Sequence, residues 1–126
     1  MSASEKILRF FTAQMSYLRD VLGKDLMRTV YLNALMLESD NYFSNPNRNL
    51  YKIIHSFVEE GIGSGEFKNE LDSQELTLLI TRCMRGSLYD WFIFGDNFNL
   101  IGESQKFIVI VLDGIKRRQL GNGSIV

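Results

Sequence analysis

Of the 126 residues, only one is proline, one cysteine, one histidine and one tryptophan. With Pro46 alone, long stretches are free to be helical, because nothing else removes a backbone donor or collides with the preceding turn. The lone Cys83 excludes an internal disulfide and any cysteine-based zinc site, and it suits a reducing compartment. Surplus charge is missing too: 14 Lys and Arg stand against 15 Asp and Glu, a formal net charge of -1. Without a basic surplus there is no electrostatic footprint for a phosphate backbone, so the chain alone is not expected to grip DNA. The longest apolar run, FIVIVL at 107–112, is far too short to span a bilayer. Met1 to Glu5 runs straight into a polar–apolar mix with no signal-peptide pattern. The expectation is a soluble, cytoplasmic chain that does not touch membranes.

What remains has the balance of a globular domain, with 45% hydrophobic and 23% charged residues. The length suits one domain with a real core and is too short for two of ordinary size. From Ser4 to Leu22, Ile7, Phe11, Met15, Leu18 and Leu22 recur at spacings of three and four, the mark of an amphipathic helix, which Gly23 closes. Asp25 is placed to cap a second helix, with Leu26, Val30 and Ala34 on a stripe beside Met27, Tyr31 and Leu35. The pattern decays in ESDNYFSNPNRN, a polar loop around Pro46. A third helix, LYKIIHSFVEE from Leu50 to Glu60, puts Leu50, Ile54, Phe57 and Val58 on one side. The three glycines of GIGSGEF then predict a break.

Asp72 and Glu75 have the D-x-x-E spacing of a capping box, which predicts a long helix from Ser73 to Phe94. GDNFN ends it, and a last helix is predicted from Leu100 to Arg118, before a flexible tail over 119–126. FIVIVL is rich in β-branched residues and also reads as a buried strand. The stripe of Phe107, Ile108, Val111, Leu112 and Ile115, and the lack of a second strand to pair with, favour helix. KRR at Lys116 to Arg118 suits a helix C-terminus. The fold class is therefore all-α, a bundle of about five helices.

On a wheel advancing about 100° per residue, Leu76, Ile80, Cys83, Ser87, Trp91 and Phe94 cluster as the core face of the fourth helix. Leu79, Gly86 and Ile93 form a second line, flanked by Tyr89 and Asp90. Val109 and Ile110 give the last helix a second apolar face. Helices that are apolar on two sides are buried on two sides, and in a domain this small the second burial points to a partner chain. Gly86 then marks a close helix crossing, with Asp90 near the rim where an arginine or lysine can meet it. The other reading is that Gly86 is a local packing feature inside one chain.

Catalytic patterns are absent. His55 has Glu59 at i+4, but two ligands are too few to hold a metal. Cys83 lies on the core face as a small hydrophobe. The carboxylates Glu59, Glu60, Asp90 and Asp96 lack a second catalytic element. GIGSG lacks the G-K-[ST] ending and the preceding strand of a phosphate loop. No cofactor is expected, and the chain does not read as an enzyme.

The residues do resemble a family. TRCMRGSLYDWFIFGDNFNL, followed by an apolar helix with VLDGIK, resembles the C-terminal regulatory domain of TetR-family transcriptional regulators. The matching elements are Arg85-Gly86, Tyr89-Asp90-Trp91, the Gly95-Asp96 turn with Phe98 and Leu100, and Leu112-Asp113-Gly114-Ile115. EEGIGSGEF looks like the family's E-x-G-x-x-x-G-E-F turn before this helix pair. The resemblance covers Ser4 to Lys116.

It implies that residues 1–118 form an effector-binding and homodimerisation domain, whose last two long helices pack with their partners as a four-helix bundle. It implies an interface of Leu79, Arg82, Gly86, Tyr89, Asp90, Ile93, Val109 and Ile110. Earlier helices would enclose a small hydrophobic or aromatic effector between Phe11, Met15, Met27, Tyr31, Tyr51, His55, Met84 and Leu88. DNA would be contacted only through an N-terminal helix-turn-helix domain, which this sequence lacks. That departure means either a shortened form of a longer repressor or a natural fragment without its own DNA contact. Two rivals stand beside this: a helical homodimer packed solid with no pocket, and a small helical enzyme or cofactor carrier centred on His55. A sensor needs a cavity of about 300 Å³ or more, which separates it from the first.

Overall fold

A computed structural model of the chain describes residues 1–36 and 49–117. Helix α1 covers Ala3–Tyr17 and continues into a π-helical turn, Leu18–Leu22. Helices α2 (Lys24–Met36), α3 (Asn49–Gly63), α4 (Ser73–Phe94) and α5 (Leu100–Ile115) follow, with a short 3₁₀ turn at Gly95–Asn97 between the last two. The described residues form an all-α bundle with no strand, and FIVIVL is helical. No helix among them is long and apolar enough to cross a membrane. The tail over 119–126 and the loop around Pro46 lie outside the described residues.

Several boundaries follow directly from local chemistry. Asp72 caps α4 as its spacing predicts, its carboxylate accepting from the Glu75 amide at 2.8 Å. Gly95, at a φ of +63°, ends that helix in a conformation that side chains resist. Asn99 caps α5 by accepting from the Gly102 amide at 3.1 Å. Ser2 caps α1.

Others correct the sequence reading. Helix α2 starts at Lys24 rather than being capped by Asp25, because the Gly23 carbonyl already accepts from the Met27 amide. Asp25 instead pairs with Arg28 at 2.9 Å. Of the two stripes on α2, only Met27 and Ala34 are buried, while Leu26 and Leu35 face outward. The glycines of GIGSGEF do not break α3 at Glu60. The helix runs on to Gly63, because Gly61 offers a bare backbone on which the Phe67 ring lies. The turn comes at Gly65, with a φ of +82°, and folds Phe67 back so that its amide donates to the Gly61 carbonyl at 3.0 Å. Helix α5 ends at Ile115, short of Arg118. There the chain pairs with the loop, Lys68 donating to the Ile115 carbonyl and Arg117 to the Glu66 carbonyl, both at 2.8 Å, while the Lys116 amide still donates to Leu112.

The core joins α1, α3, α4 and α5. Ile7, Phe11 and Met15 on α1 meet Ile54 and Val58, Leu76, Ile80 and Leu88, and Ile108 and Leu112. Phe67, 1% exposed, plugs one end. Each such side chain contributes about 1.5–3 kcal/mol by leaving water. Cys83, Ser87 and Trp91 are buried as the wheel predicts. Phe94 is not: it is 58% exposed, beside Phe98 with ring centroids 6.5 Å apart. On the wheel Phe94 lies at the same angle as Leu76, so its exposure comes from its place as the last residue of α4 and not from its phase.

Candidate effector cavity and helix-pair face

A small, partly open cavity sits where α1, α2, α3 and α4 converge. Its walls carry five of the eight residues singled out from the sequence: Met27 and Tyr31 from α2, Tyr51 from α3, and Met84 and Leu88 from α4. Gln14, Leu18, Leu50, Thr81 and Arg85 complete it. Phe11 and Met15 stand apart as fully enclosed core. His55 is also elsewhere, in an open groove with Lys52, Asp72, Ser73 and Gln74 that Tyr51 borders from the other side. The cavity measures about 30 Å³, room for a water or two. That is a tenth of the volume a sensor was expected to need.

The lining is more polar than the apolar spacing suggested. Arg85, Gln14 and Thr81 belong to turns whose neighbours are core, and only the convergence of four helices reveals which way they face. The Tyr31 ring meets Phe92 edge-on at 5.1 Å. Burial pushes the Tyr51 phenol above its ordinary pKa and the charge of Asp72 adds to this, against an opposing hydrogen bond with Gln74. The ring of Tyr51 stacks on His55 at 5.9 Å.

The His55 Nε2 lies 3.0 Å from the Ser73 hydroxyl and 3.5 Å from a Glu59 carboxylate oxygen. Both partners meet one ring nitrogen. A nucleophile relay needs the acid on the opposite nitrogen, where it orients the base. No three His, Cys, Asp or Glu side chains among the described residues gather as a metal site.

The second feature is an uncovered face. On α4, Leu79 is 37% exposed, Tyr89 59% and Ile93 55%; on α5, Phe107 is 46% and Ile110 71% exposed. Arg82 and Gly86 are exposed along the same line, and Asp90 is half-buried. A β-carbon at Gly86 would meet only the Phe107 ring, at an ordinary 3.7 Å. Among the described residues nothing therefore demands glycine there. Beside it runs an open groove of about 440 Å³ walled by Tyr89, Asp90, Phe98, Glu103 and Phe107.

Val109 lies two residues beyond Phe107, so about 200° round the helix. That puts it on the flank where Gln105 reaches Thr12 of α1 at 3.2 Å. Phe107 is the α5 residue that borders Gly86, and its spacing to Ile110 and Gly114 is the signal that would have found it. Comparison with known protein families, with curated proteins and with solved structures finds no match, so the likeness to TetR-family regulatory domains rests on the residues quoted above.

Proposed function

We propose that this chain is the homodimerisation and effector-sensing domain of a TetR-like transcriptional repressor, working in the cytoplasm. It would act as a homodimer and contact DNA only through an N-terminal domain outside this sequence. The observation that carries the reading is the uncovered face of α4 and α5: five large apolar side chains, each more than a third exposed, lie on two adjacent helices of one small domain. Contiguous apolar patches of this kind mark interaction sites. A pair of such helices meeting its copy supports an interface of roughly 1,200–2,000 Å².

Sensing belongs to the cavity beneath α2. That helix buries only Met27 and Ala34, so it is the least firmly held wall. An effector that displaces α2 enlarges the 30 Å³ space and favours the displaced arrangement, a population shift. The coupling to DNA release is of the ordinary size, about 1–3 kcal/mol. The small volume of the cavity favours a second reading, a dimerisation module with no ligand.

Two measurements test the proposal. Sedimentation equilibrium at micromolar concentration should give a dimer, and a monomer there refutes the whole reading. A panel of neutral and aromatic molecules should contain some that raise the melting temperature. At 100 times the dissociation constant the gain is about 2.7 kcal/mol. Met84→Trp fills the cavity and should abolish that gain while leaving the dimer intact. A dimer that no molecule in the panel stabilises is the plain module.

A further inference from the structure

Counted outward from Gly86, the exposed side of α4 is matched in shape and opposed in charge. Leu79 and Ile93 stand seven residues to either side, Arg82 and Asp90 four residues to either side. At about 100° per residue, Leu79 and Ile93 fall about 20° from the Gly86 line, and Arg82 and Asp90 about 40° from it on opposite flanks. None of the four is needed by its own core: Leu79, Arg82 and Ile93 are exposed and Asp90 is half-buried. Among the described residues neither Arg82 nor Asp90 makes an ion pair, although seven other pairs form on the surface.

Resting on the homodimer proposed above, we infer that α4 crosses α4 of a second copy antiparallel, with Gly86 on the two-fold axis. In an isologous contact of this kind, the residue n places after the axis faces the residue n places before it on the other chain. Arg82 then stands level with Asp90 of the partner subunit, about 6 Å along the helix from the axis. The same pair repeats on the other side. Leu79 stands level with Ile93 of the partner subunit. The length of the arginine side chain spans the lateral offset.

The missing side chain at Gly86 is what lets two backbones approach at the crossing. Among the described residues none excludes a β-carbon there, the nearest being the Phe107 ring at 3.7 Å. Asp90 shares its groove wall with Glu103, two carboxylates on one small surface that an incoming guanidinium relieves. A second copy is the occupant that supplies this cation at the right level, by symmetry.

The test is charge reversal on the full chain, read by sedimentation equilibrium at low salt. Arg82→Asp and Asp90→Arg each place like charges opposite one another twice, and each should weaken the dimer about tenfold or more. The double variant R82D/D90R restores both pairs and should return to within about threefold of the wild type. Added salt to about 0.5 M should narrow the loss in the single variants. A second readout does not depend on charge. Gly86→Cys should form a disulfide-linked dimer on mild oxidation, since residue 86 meets its own copy at the axis, whereas Val109→Cys should not. Single reversals that dimerise like the wild type, or a double variant as weak as the singles, overturn this register while leaving the homodimer standing. A wild type that is monomeric overturns both.

Discussion

Gly61→Ala separates two opposite expectations for one glycine. In an unobstructed helix the change should stabilise by about 1 kcal/mol, since glycine carries that much more backbone freedom to lose. Here the added methyl would be driven into the Phe67 ring. The ring has little freedom to retreat. It is 1% exposed, its own amide is bound to the Gly61 carbonyl, and the next residue, Lys68, is bound to Ile115. Overpacking a fixed core site costs about 1–3 kcal/mol. Against the propensity gain, the net expectation is a loss of up to about 2 kcal/mol, or as much as several degrees in melting temperature for a domain of this size.

Urea denaturation of four proteins measures it: wild type, Gly61→Ala, Phe67→Leu and the double variant. Phe67→Leu alone should destabilise by leaving a cavity. In that background the alanine should cost much less or become favourable, giving a coupling of at least about 1 kcal/mol. A Gly61→Ala variant more stable than wild type, or strict additivity in the cycle, would show that the ring does not hold Gly61 as described.

Two further outcomes follow from the titratable groups. Partial burial opposes ionisation of Glu66, but hydrogen bonds from the Ser4 hydroxyl and the Ser4 and Ala3 amides, with Lys116 nearby, outweigh it and hold the carboxyl below its ordinary 4.5. Because the folded pKa is the lower one, the stabilisation is fully present above the unfolded value and is lost as pH falls from there through the folded pKa. Glu66→Gln should therefore cost about 1–2 kcal/mol at pH 7, and the gap to wild type should close in acid; a constant gap from pH 7 to pH 3 contradicts the assignment. Burial pushes the Cys83 thiol up to about 11 from 9.0. A thiol reagent at pH 8 should label the native protein roughly a hundredfold more slowly than the unfolded chain, by thiolate fraction alone, and equal rates would place Cys83 at the surface.

Much of the fold was legible because its signals are local. The Asp72–Glu75 spacing and Gly95 bracket α4, and both act within one turn of the helix end. The outward line of Leu79, Gly86 and Ile93 was legible because helix phase is fixed by counting. GIGSGEF does break the chain, but at Gly65 and not before Gly61, because the role of Gly61 depends on Phe67, six residues on, and a ring seated on a bare backbone leaves no periodic trace. The extension of α5 to Arg118 failed for a related reason: Ile115 and Arg117 bond to the loop at 66–68 in place of a further helical turn. Of the eight residues chosen for a cavity, five line one small space and three lie elsewhere, and its volume was not legible. Which helices converge can be read from stripes, whereas free volume is a small difference between large packed volumes, and no single sequence encodes it.

The Glu66 joint has a mechanical consequence. Its carboxylate holds the amides of Ala3 and Ser4 while its own carbonyl holds the amide of Arg117. The first and last turns of the bundle are thus moored to one residue in the middle of the chain. Tension applied between residue 3 and residue 117 would load that handful of hydrogen bonds before it loaded any helix. A short peptide joining those two positions would close the chain into a ring with little strain. New ends could then be cut elsewhere, and the bundle should tolerate that circular rearrangement as long as Glu66 stays in place.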